Sequence, residues 1–568
     1  MKKPNVLFPA FSPDDIDICS KVNSRNIYIY YDYFLKNGFE TLLEFIEKAK
    51  QYDARLFINF KNTITDKEIL FIKVFLDFIE KTDITGIMIN NFFMLDFISS
   101  KPLPFKVFVD SGMDIHNLSG VEFIRSFQKI DNLNISEEIY VKNIARIKKY
   151  TNLSLSVDSD NLPWIVDELL KSKSVDFVVI KGDFLNNKEL LDGVTFIEKI
   201  IENPTKYQNK KLPFKTLHDY TYEVNPFTKE FLSTKGKNFK FRGNIEKFKW
   251  QYKETRLKKD FDKNKIELPK LSLRLNSLDQ IKALKKCIKS FGFNPVYGIE
   301  YGEILNTSDL AKSSFNQILD KVKDFCAEHH IKLQLSTPRI LTERDFDRVY
   351  DYVKQLFDNN PPDSIVVNNI GFWWAVINDS DYSDIPIELG QGLNILSGAS
   401  INCLINQHKV ESVELSSFID INDAELCIKN IINSVPYRKL TVGGSIRIPC
   451  SGLCPLNNDS AVLSRLSCSA PCHKGNYSVV DKDREKIYTF TVDGFCRMHM
   501  FRDKILDLFK YIKPLQSIGI NEFVLDFSCL ETKLVPILLT RFLNSLSDKN
   551  YKTDENFLDK LYYLNYHY

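Results

Sequence analysis

An internal repeat constrains the fold of this chain more than any other feature. The segment NLNISEEIYVKNIARIKKYTNLSLSV, which starts at Asn132, resembles SVELSSFIDINDAELCIKNIINSVPYRKLTV, which starts at Ser412, with Ser136 and Ser416 in register. Two earlier pairs of segments, LFINF with LQLST and GIMINN with SIVVNN, keep nearly the same offset of about 280 residues. The chain is therefore expected to contain two copies of one domain.

Within each copy, short β-rich runs such as RLFINF, GIMIN and FKVFVD alternate with helical stretches such as DKEILFIKVFLDFIEK. This alternation predicts βαβ units around a parallel sheet, and its repetition favours a closed barrel. The predicted fold class is α/β, with two tandem (β/α) barrel-like modules, the second followed by a small Cys-rich metal-binding segment. The predicted domains are the first module (residues 1–205), a connector (206–265), the second module (266–447), the Cys-rich segment with a closing strand (448–530) and a helical tail (531–568).

Paired asparagines follow one strand in each copy, at Asn90-Asn91 and at Asn368-Asn369. In a (β/α) barrel the loops after the strands form the functional face, so these side chains are candidates for that face. Alternatively, each asparagine only makes a turn at the end of its strand.

Composition excludes some classes of protein. Of the 568 residues, 44% are hydrophobic and 26% are charged, which is incompatible with a disordered chain. The formal net charge of +2 provides no overall field toward nucleic acid or membranes. The N-terminal apolar run is shorter than a signal peptide, and no stretch is apolar enough to span a bilayer. We expect a cytoplasmic protein without membrane insertion.

The connector is locally basic and aromatic. In residues 206–265, Phe239, Phe241 and Trp250 are interleaved with Lys240 and Arg242, a pattern typical of surfaces that bind single-stranded RNA. The alternative is a basic strand pair whose aromatic side chains pack on a barrel.

Five of the eleven cysteines lie between Cys450 and Cys496. Four of them are the predicted metal ligands: Cys454, Cys468, Cys472 and Cys496. Thiolate ligands suit an iron–sulfur cluster or a tetrahedral zinc, and the spread spacing slightly favours an iron–sulfur cluster over zinc. A set of unrelated buried thiols is the third interpretation. The other cysteines are isolated, mostly in apolar contexts, and are predicted to belong to the core: Cys19, Cys287, Cys326, Cys403, Cys427 and Cys529.

The motifs SGLCPL, SCSAPCHKGNYSVVD and VDGFCRMHM, followed by IGINEFVLDFS, resemble the pattern of the peptidase U32 family. The first repeat resembles it in a degenerate form that lacks the cysteines. The family's acidic residue after the V-x-LS motif is present as Glu138 in the first module, but Phe418 stands there in the second. Arg447 stands where one branch of the family has a cysteine, so Cys450 is either a substitute ligand or an ordinary neighbour.

The resemblance implies two classes of function. Some members of the family are identified as collagenase-like peptidases. Others resemble oxygen-independent hydroxylases that carry a 4Fe-4S cluster, act on RNA bases or a ubiquinone precursor, and use prephenate as the oxygen donor. No Ser-His-Asp, Cys-His or HExxH arrangement is recognisable in the sequence, which favours the hydroxylase. A third hypothesis is a binding protein with a structural metal site that acts with a related partner protein.

A dicarboxylate oxygen donor needs cationic partners. Arg447 and Arg497 are the predicted substrate-binding residues, with Arg465 and Lys474 as further candidates. The alternative for each of them is a surface charge. His499 is a candidate acid or base, or else a structural histidine. No catalytic residue is assigned from the sequence.

Overall fold

The first half of the chain forms a closed barrel of eight parallel strands in sequential order, in which β8 pairs with β1. Its strands are short and apolar, as expected for strands covered on both faces. They are β1 (Asn5–Ala10), β2 (Asn26–Tyr30), β3 (Arg55–Phe60), β4 (Gly86–Ile89), β5 (Lys106–Val109), β6 (Asn132–Ile135), β7 (Ser154–Asp158) and β8 (Phe177–Val179). The helices are α1 (Tyr31–Asn37), α2 (Thr41–Gln51), α3 (Asp66–Ile79), α4 (Phe92–Ser100), α5 (Leu118–Ser126), α6 (Val141–Tyr150), α7 (Asn187–Glu202) and α8 (Pro204–Tyr207).

This computed structural model describes residues 3–60, 64–101, 103–127, 129–136, 141–151, 153–159, 174–181, 186–207, 222–226, 257–258, 261, 266–303, 314–382, 384–432, 434–451, 477–481, 486–493, 495, 497–548 and 551–552. Within these residues, none of the helices is both long and apolar enough to cross a membrane.

The second half forms another closed parallel barrel, whose last strand comes from far along the chain. Seven strands follow in order, and β20 inserts between the seventh strand and the first. The strands are β10 (Lys270–Leu275), β11 (Gly298–Tyr301), β12 (Lys332–Ser336), β13 (Ser364–Val367), β14 (Ile387–Leu389), β15 (Ser412–Glu414), β16 (Tyr437–Ser451) and β20 (Glu522–Asp526). The helices are α9 (Leu278–Phe291), α10 (Ser314–His329), α11 (Glu343–Asn359), α12 (Ile370–Ile377), α13 (Gly398–Ile405), α14 (Ile421–Lys429), α15 (Ile512–Ser517) and α16 (Leu534–Ser547). The prediction of two tandem (β/α) barrels is confirmed.

An antiparallel extension grows from the second barrel because β16 continues beyond the barrel wall. Its outer part pairs with β19 (Met498–Asp507), followed by β18 (Lys486–Val492), β17 (Tyr477–Asp481) and β9 (Tyr222–Pro226). The strand departs at Gly444, whose φ of 97° and whose close approach to the Asp526 carbonyl exclude a side chain. Strand β9 belongs to the predicted connector, and β17–β19 belong to the predicted Cys-rich segment.

The two barrels pack through equivalent helices in a reciprocal, pseudo-two-fold manner. Helix α4 packs on α13, and α5 packs on α12. At one contact Ser400 Oγ donates to Asn91 Oδ1 (3.0 Å), and at the other Asn117 Nδ2 donates to Asn369 Oδ1 (3.1 Å). The carboxylates of Asp66 and Glu343 likewise accept from backbone N–H groups at the start of the opposing helices. The two barrels therefore pack against each other as the subunits of a two-fold symmetric dimer would, although they belong to one chain.

Candidate active site

The interior of the second barrel is charged, whereas the cores of such barrels usually consist of branched apolar side chains. Near its base, Glu388 is 1% exposed and accepts from Lys332 (2.7 Å), Gln334 (3.0 Å), Ser412 (2.9 Å) and the buried Lys439. Lys332 and Lys439 outweigh the effect of burial and hold the pKa of the Glu388 carboxyl well below its usual range. Glu388 is therefore a buried carboxylate.

Arg274 forms the next part of this charged interior. Its guanidinium lies 2.8 Å from Glu300, 2.6 Å from Glu414 and 3.0 Å from Asp526, and all four side chains are almost fully buried. Burial opposes the charge of Arg274, but the three acidic neighbours outweigh it and raise the pKa of the guanidinium further. The four residues come from four different strands or strand ends, so the network fixes the barrel geometry.

Arg447 lies at the C-terminal end of the barrel, where β16 leaves the wall. Its Nε donates to Asp526 (3.0 Å), while its two terminal nitrogens donate to Glu303 and Ser528. Glu303 also accepts from Arg339 Nε at 2.6 Å. Burial favours the neutral form of Glu303, but Arg447 and Arg339 outweigh it and keep the pKa of this carboxyl far below its usual value. Arg447 is 4% exposed, so its interpretation as a surface charge is wrong.

A cavity of about 60 Å³ opens beside this network. Residues at or just beyond the ends of β11 and β12 form part of its wall, including Glu303, Ser336 and Thr337, and Phe495 contributes from the hairpin between β18 and β19. Because functional sites in (β/α) barrels lie at the carboxyl ends of the strands, this cavity is in the position expected for an active site.

Asp493 organises the hairpin that carries Phe495. One carboxylate oxygen accepts from the backbone N–H groups of Phe495 (2.8 Å) and Arg497 (3.0 Å), and the other lies 3.0 Å from His499 Nε2. Burial raises the pKa of Asp493, but the contacts to His499 and Arg497 lower it more, so the group is a carboxylate. Cys496 lies between Phe495 and Arg497 in sequence, and both of these neighbours are buried.

Arg497 connects this hairpin to the barrel. Its Nη2 donates to Asp345 at 2.8 Å, and its guanidinium lies 4.5 Å from the centre of the Phe495 ring. Nη1 is buried and lies 4.0 Å from Asp493 Oδ2, and it has no acceptor within hydrogen-bond distance among the described residues. Arg497 is 2% exposed, so for this residue too a surface charge is the wrong interpretation. Substrate binding by Arg447 and Arg497 stays a prediction.

The first barrel contributes His116 to the same region. His116 is 4% exposed, and its Nδ1 lies 3.1 Å from Asn369 Nδ2 of the second barrel. Burial lowers the pKa of His116 to about 3, and the positive charge of Arg497 adds to this effect. The imidazole is therefore neutral. Asn369 also donates to the Arg339 carbonyl (2.9 Å), which links the inter-barrel contact to the mouth of the second barrel.

Most of the other residues predicted to bind metal, substrate or RNA lie outside the residues that the structure describes. Cys454, Cys468, Cys472 and Cys496 lie outside the described residues, as do Arg465, Lys474, Glu138 and most of residues 206–265. Among the described residues, no three His, Cys, Asp or Glu side chains form a metal-binding group. The backbone of Cys450 pairs with that of His499 across β16 and β19. Asn91 and Asn369 are helix N-caps and interface residues, whereas Asn368 is buried and bonds Ser336 and Gly392.

The prediction that the isolated cysteines belong to the core is confirmed for five of them: Cys19, Cys287, Cys326, Cys403 and Cys427 are buried, and Cys529 is half-buried. Burial raises the pKa of the Cys19 and Cys287 thiols to about 11 and that of Cys326 to about 12. These thiols are protonated near neutral pH and are poor ligands.

Sequence reasoning missed Glu303, Asp345, Asp493 and His116. Glu303 comes two residues after β11, His116 lies in the loop between β5 and α5, and Asp493 opens the hairpin turn in VDGF. Such strand-end positions are a usable signal in a barrel, but nothing local shows that residues so far apart in sequence converge.

The family model of peptidase family U32 matches residues 35–158 and 310–528, more than half of the chain and parts of both barrels. The chain belongs to peptidase family U32. The resemblance inferred from the Cys-region motifs is thereby confirmed. No curated protein matches this family member significantly in sequence.

Solved structures that resemble this U32 protein include a U32 peptidase, with 8% identity over 32% of this chain and 94% of that chain and a TM-score of 0.26. Thiamine phosphate pyrophosphorylase from Pyrococcus furiosus gives 11% identity over 35% of this chain and 97% of that chain, with a TM-score of 0.26. Orotidine 5'-monophosphate decarboxylase from Methanocaldococcus jannaschii gives 17% identity over 35% of this chain and 99% of that chain, with a TM-score of 0.25.

Proposed function

We propose that this U32-family protein is an iron–sulfur-dependent, oxygen-independent hydroxylase that acts in the cytoplasm, with its reaction at the mouth of the second barrel. The observation that carries the proposal is the position of the residues on either side of Cys496. Phe495 lines the cavity at the barrel mouth, and Arg497 is anchored to Asp345 beside it. The free thiols of the described cysteines support a reducing compartment.

The donor set fits a 4Fe-4S cluster in its chemistry, because Cys454, Cys468, Cys472 and Cys496 offer four thiolates. When bound, such a cluster supplies the redox chemistry of the reaction. Asp493 supports this assignment, because its bonds to the backbone of Phe495 and Arg497 hold the chain on both sides of one ligand. Zinc at the same residues is the alternative.

Arg497 suits the binding of a dicarboxylate oxygen donor better than Arg447 does. Nε and both terminal nitrogens of Arg447 already donate to protein groups. Nη1 of Arg497 has only the Asp493 carboxylate at 4.0 Å and no acceptor within hydrogen-bond distance among the residues described, although a buried guanidinium nitrogen normally has one. A carboxylate of the donor would satisfy it with a charge-assisted bond.

Cofactor content tests the proposal directly. Protein purified without oxygen should contain iron and acid-labile sulfide, and serine substitution at each of the four predicted ligands should reduce both. Cys403→Ser is the matched control, because that thiol is buried in the core and should leave the iron content unchanged. If the purified protein were colourless and contained stoichiometric zinc, the cluster proposal would be wrong and the cysteines would form a structural zinc site.

Deleting the gene tests the reaction. Mass spectrometry of nucleosides and quinones should then show a product lighter by one oxygen atom. If the product is a nucleoside, RNA binding should weaken when Lys237, Lys240 and Arg242 of the connector are neutralised, and it should fall steeply with salt. Unchanged RNA affinity would instead favour a small-molecule substrate such as a quinone precursor.

A peptidase is the second candidate because of one observation. The backbones of Cys450 and His499 are paired in the β16–β19 register, and His499 Nε2 lies 3.0 Å from Asp493 Oδ2. A cysteine peptidase uses a cysteine, a histidine and an acidic or amide residue together. In that case Cys450→Ala abolishes peptide cleavage and leaves the iron content unchanged. The hydroxylase proposal predicts no cleavage by the wild-type protein.

A further inference from the structure

The first barrel has an apolar floor and a polar mouth. Alternate residues of its strands point inward and form layers, as the closed parallel register requires. The two lower layers supply an apolar cluster inside the barrel: Leu7, Tyr28, Phe57, Met88, Phe108 and Val179. Asn134 and Ser156 share the levels of this floor, and further polar residues lie above it, toward the carboxyl ends of the strands.

Three of these polar residues share one level. Asn59, Asp110 and Asp158 point inward from β3, β5 and β7. Each lies two positions after an inward-pointing residue of the level below, namely Phe57, Phe108 and Ser156. They are 0%, 2% and 1% exposed. Asn134 points inward one level below them, and Lys181 lies one level above. The side chains therefore converge on the axis of the barrel, where ligands of such folds bind.

Lys181 ties the acidic residues together. Its Nζ lies 3.1 Å from Asp110 Oδ1, 3.0 Å from Asp158 Oδ2 and 2.6 Å from Ser111 Oγ. Burial opposes its charge, but the two aspartates outweigh burial and raise the pKa of the ammonium above its usual value. Lys181 is thus a fixed cation rather than a nucleophilic amine.

Four buried atoms at this mouth have no hydrogen-bond partner among the described residues. They are Oδ1 and Nδ2 of Asn59, Oδ2 of Asp110 and Oδ1 of Asn134. Buried polar atoms in folded proteins nearly always have partners, so a whole amide without one indicates a ligand or ordered solvent. Asn134 Nδ2 donates to Asp158 Oδ1 at 2.7 Å, which fixes the orientation of that amide.

The chemistry of these atoms selects the ligand. Three are acceptors and one is a donor, and one lysine with two aspartates gives this group of side chains a negative balance, which disfavours phosphates and carboxylates. At the rim, Tyr30 presents a partly exposed ring 6.1 Å from Phe11. Ligand sites combine such apolar surfaces with a few polar groups that fix orientation. We propose that the mouth of the first barrel binds a small polyhydroxylated molecule of the sugar or polyol class, independently of the reaction at the second barrel.

The test uses the full-length protein with D-ribose, D-glucose and myo-inositol as probes in saturation-transfer NMR and thermal-shift titrations. At least one probe should bind the wild-type protein, and Asn59→Leu should weaken its binding about tenfold or more by removing two hydrogen bonds. The variant should unfold at the same or a higher temperature, because leucine buries no unpaired polar atom. Asn359→Leu, the same change on an exposed helix end, should bind normally.

Three results would overturn the proposal. The first is the absence of binding by all three probes. The second is equal binding by the wild-type protein and Asn59→Leu, which would place the polyol elsewhere. The third is a preference of the same mouth for putrescine or inorganic phosphate, tested in the same titrations, which would assign the site to amines or anions.

Discussion

Arg274 shows that the stability of the charged interior of the second barrel requires every charged side chain in it to keep its partners. It faces the carboxylates of Glu300, Glu414 and Asp526, and water is excluded from the group. An intact buried ion pair contributes little to the free energy of unfolding, because the cost of desolvation offsets the attraction. The loss of one partner is costly, because it leaves a buried charge without compensation.

Arg274→Met should therefore lower the free energy of unfolding by about 3–5 kcal/mol. Urea denaturation of the full-length protein measures this loss. The exposed Arg344→Met is the control and should change stability by less than about 0.5 kcal/mol. A similarly small effect at Arg274 would mean that water or a proton compensates the acidic residues.

His116 lies at the contact between the two barrels and makes the free energy of unfolding depend on pH. Its pKa in the folded state is about 3, well below the ordinary value of 6.5. Between these values the unfolded chain binds a proton that the folded protein does not, so stability falls as the pH decreases. Acidification from pH 7.5 to pH 5 should cost about 2 kcal/mol through this group alone.

His116→Gln should remove that part of the pH dependence while an amide still faces Asn369. The measurement compares urea denaturation of both proteins at several pH values between 7.5 and 5. Parallel curves for the two proteins would show that His116 does not carry the effect and that buried carboxylates dominate acid destabilisation.

At the scale of elements, the contact between α5 and α12 depends on a glycine. A Cβ on Gly371 would lie 1.9 Å from Asn117 Oδ1 and 2.7 Å from the backbone nitrogen of Gly120. Two helices can approach so closely only without a side chain at this position. The neighbouring Gly120 is less restricted, because its nearest contact is a methyl group of Ile115 at 3.3 Å.

Gly371→Ala should destabilise the protein by about 1–3 kcal/mol, as overpacking typically does, although alanine is the better helix former. Gly120→Ala should be close to neutral. Thermal unfolding distinguishes the two, and hydrogen exchange should increase at α5 and α12 in the first variant only. Equal effects would locate the restriction in the helices themselves rather than in the packing of the barrels.

At the scale of the whole molecule, the second barrel closes only with β20. This strand pairs with β10 and β16, and Glu522 on it bonds Ser272 (2.6 Å) and Lys439 (3.0 Å). The Cys-rich segment is therefore an insertion between the seventh and the last barrel strand. Folding of the barrel brings the two ends of that segment together.

A chain that ends at residue 517 should retain a folded first barrel and lose the second. Without β20, two strands expose unpaired edges and Lys439 loses one of its buried partners. Hydrogen exchange should be slow in β1–β8 and fast in β10–β16. A chain that ends at residue 552 should protect both barrels. Slow exchange in β10 and β16 of the shorter chain would show that another segment can close the barrel.

The two-barrel architecture and the core positions of most isolated cysteines could be predicted from the sequence alone. These properties depend on local periodicity and on the repeat, both of which are visible along the chain. The roles of the polar residues depend instead on the tertiary fold. Arg447, Arg497 and His116 are buried rather than exposed because carboxylates and amides distant in sequence meet them at the barrel mouth. The charged interior, the hairpin held by Asp493 and the late closing strand all depend on pairings between segments far apart, which no local pattern encodes.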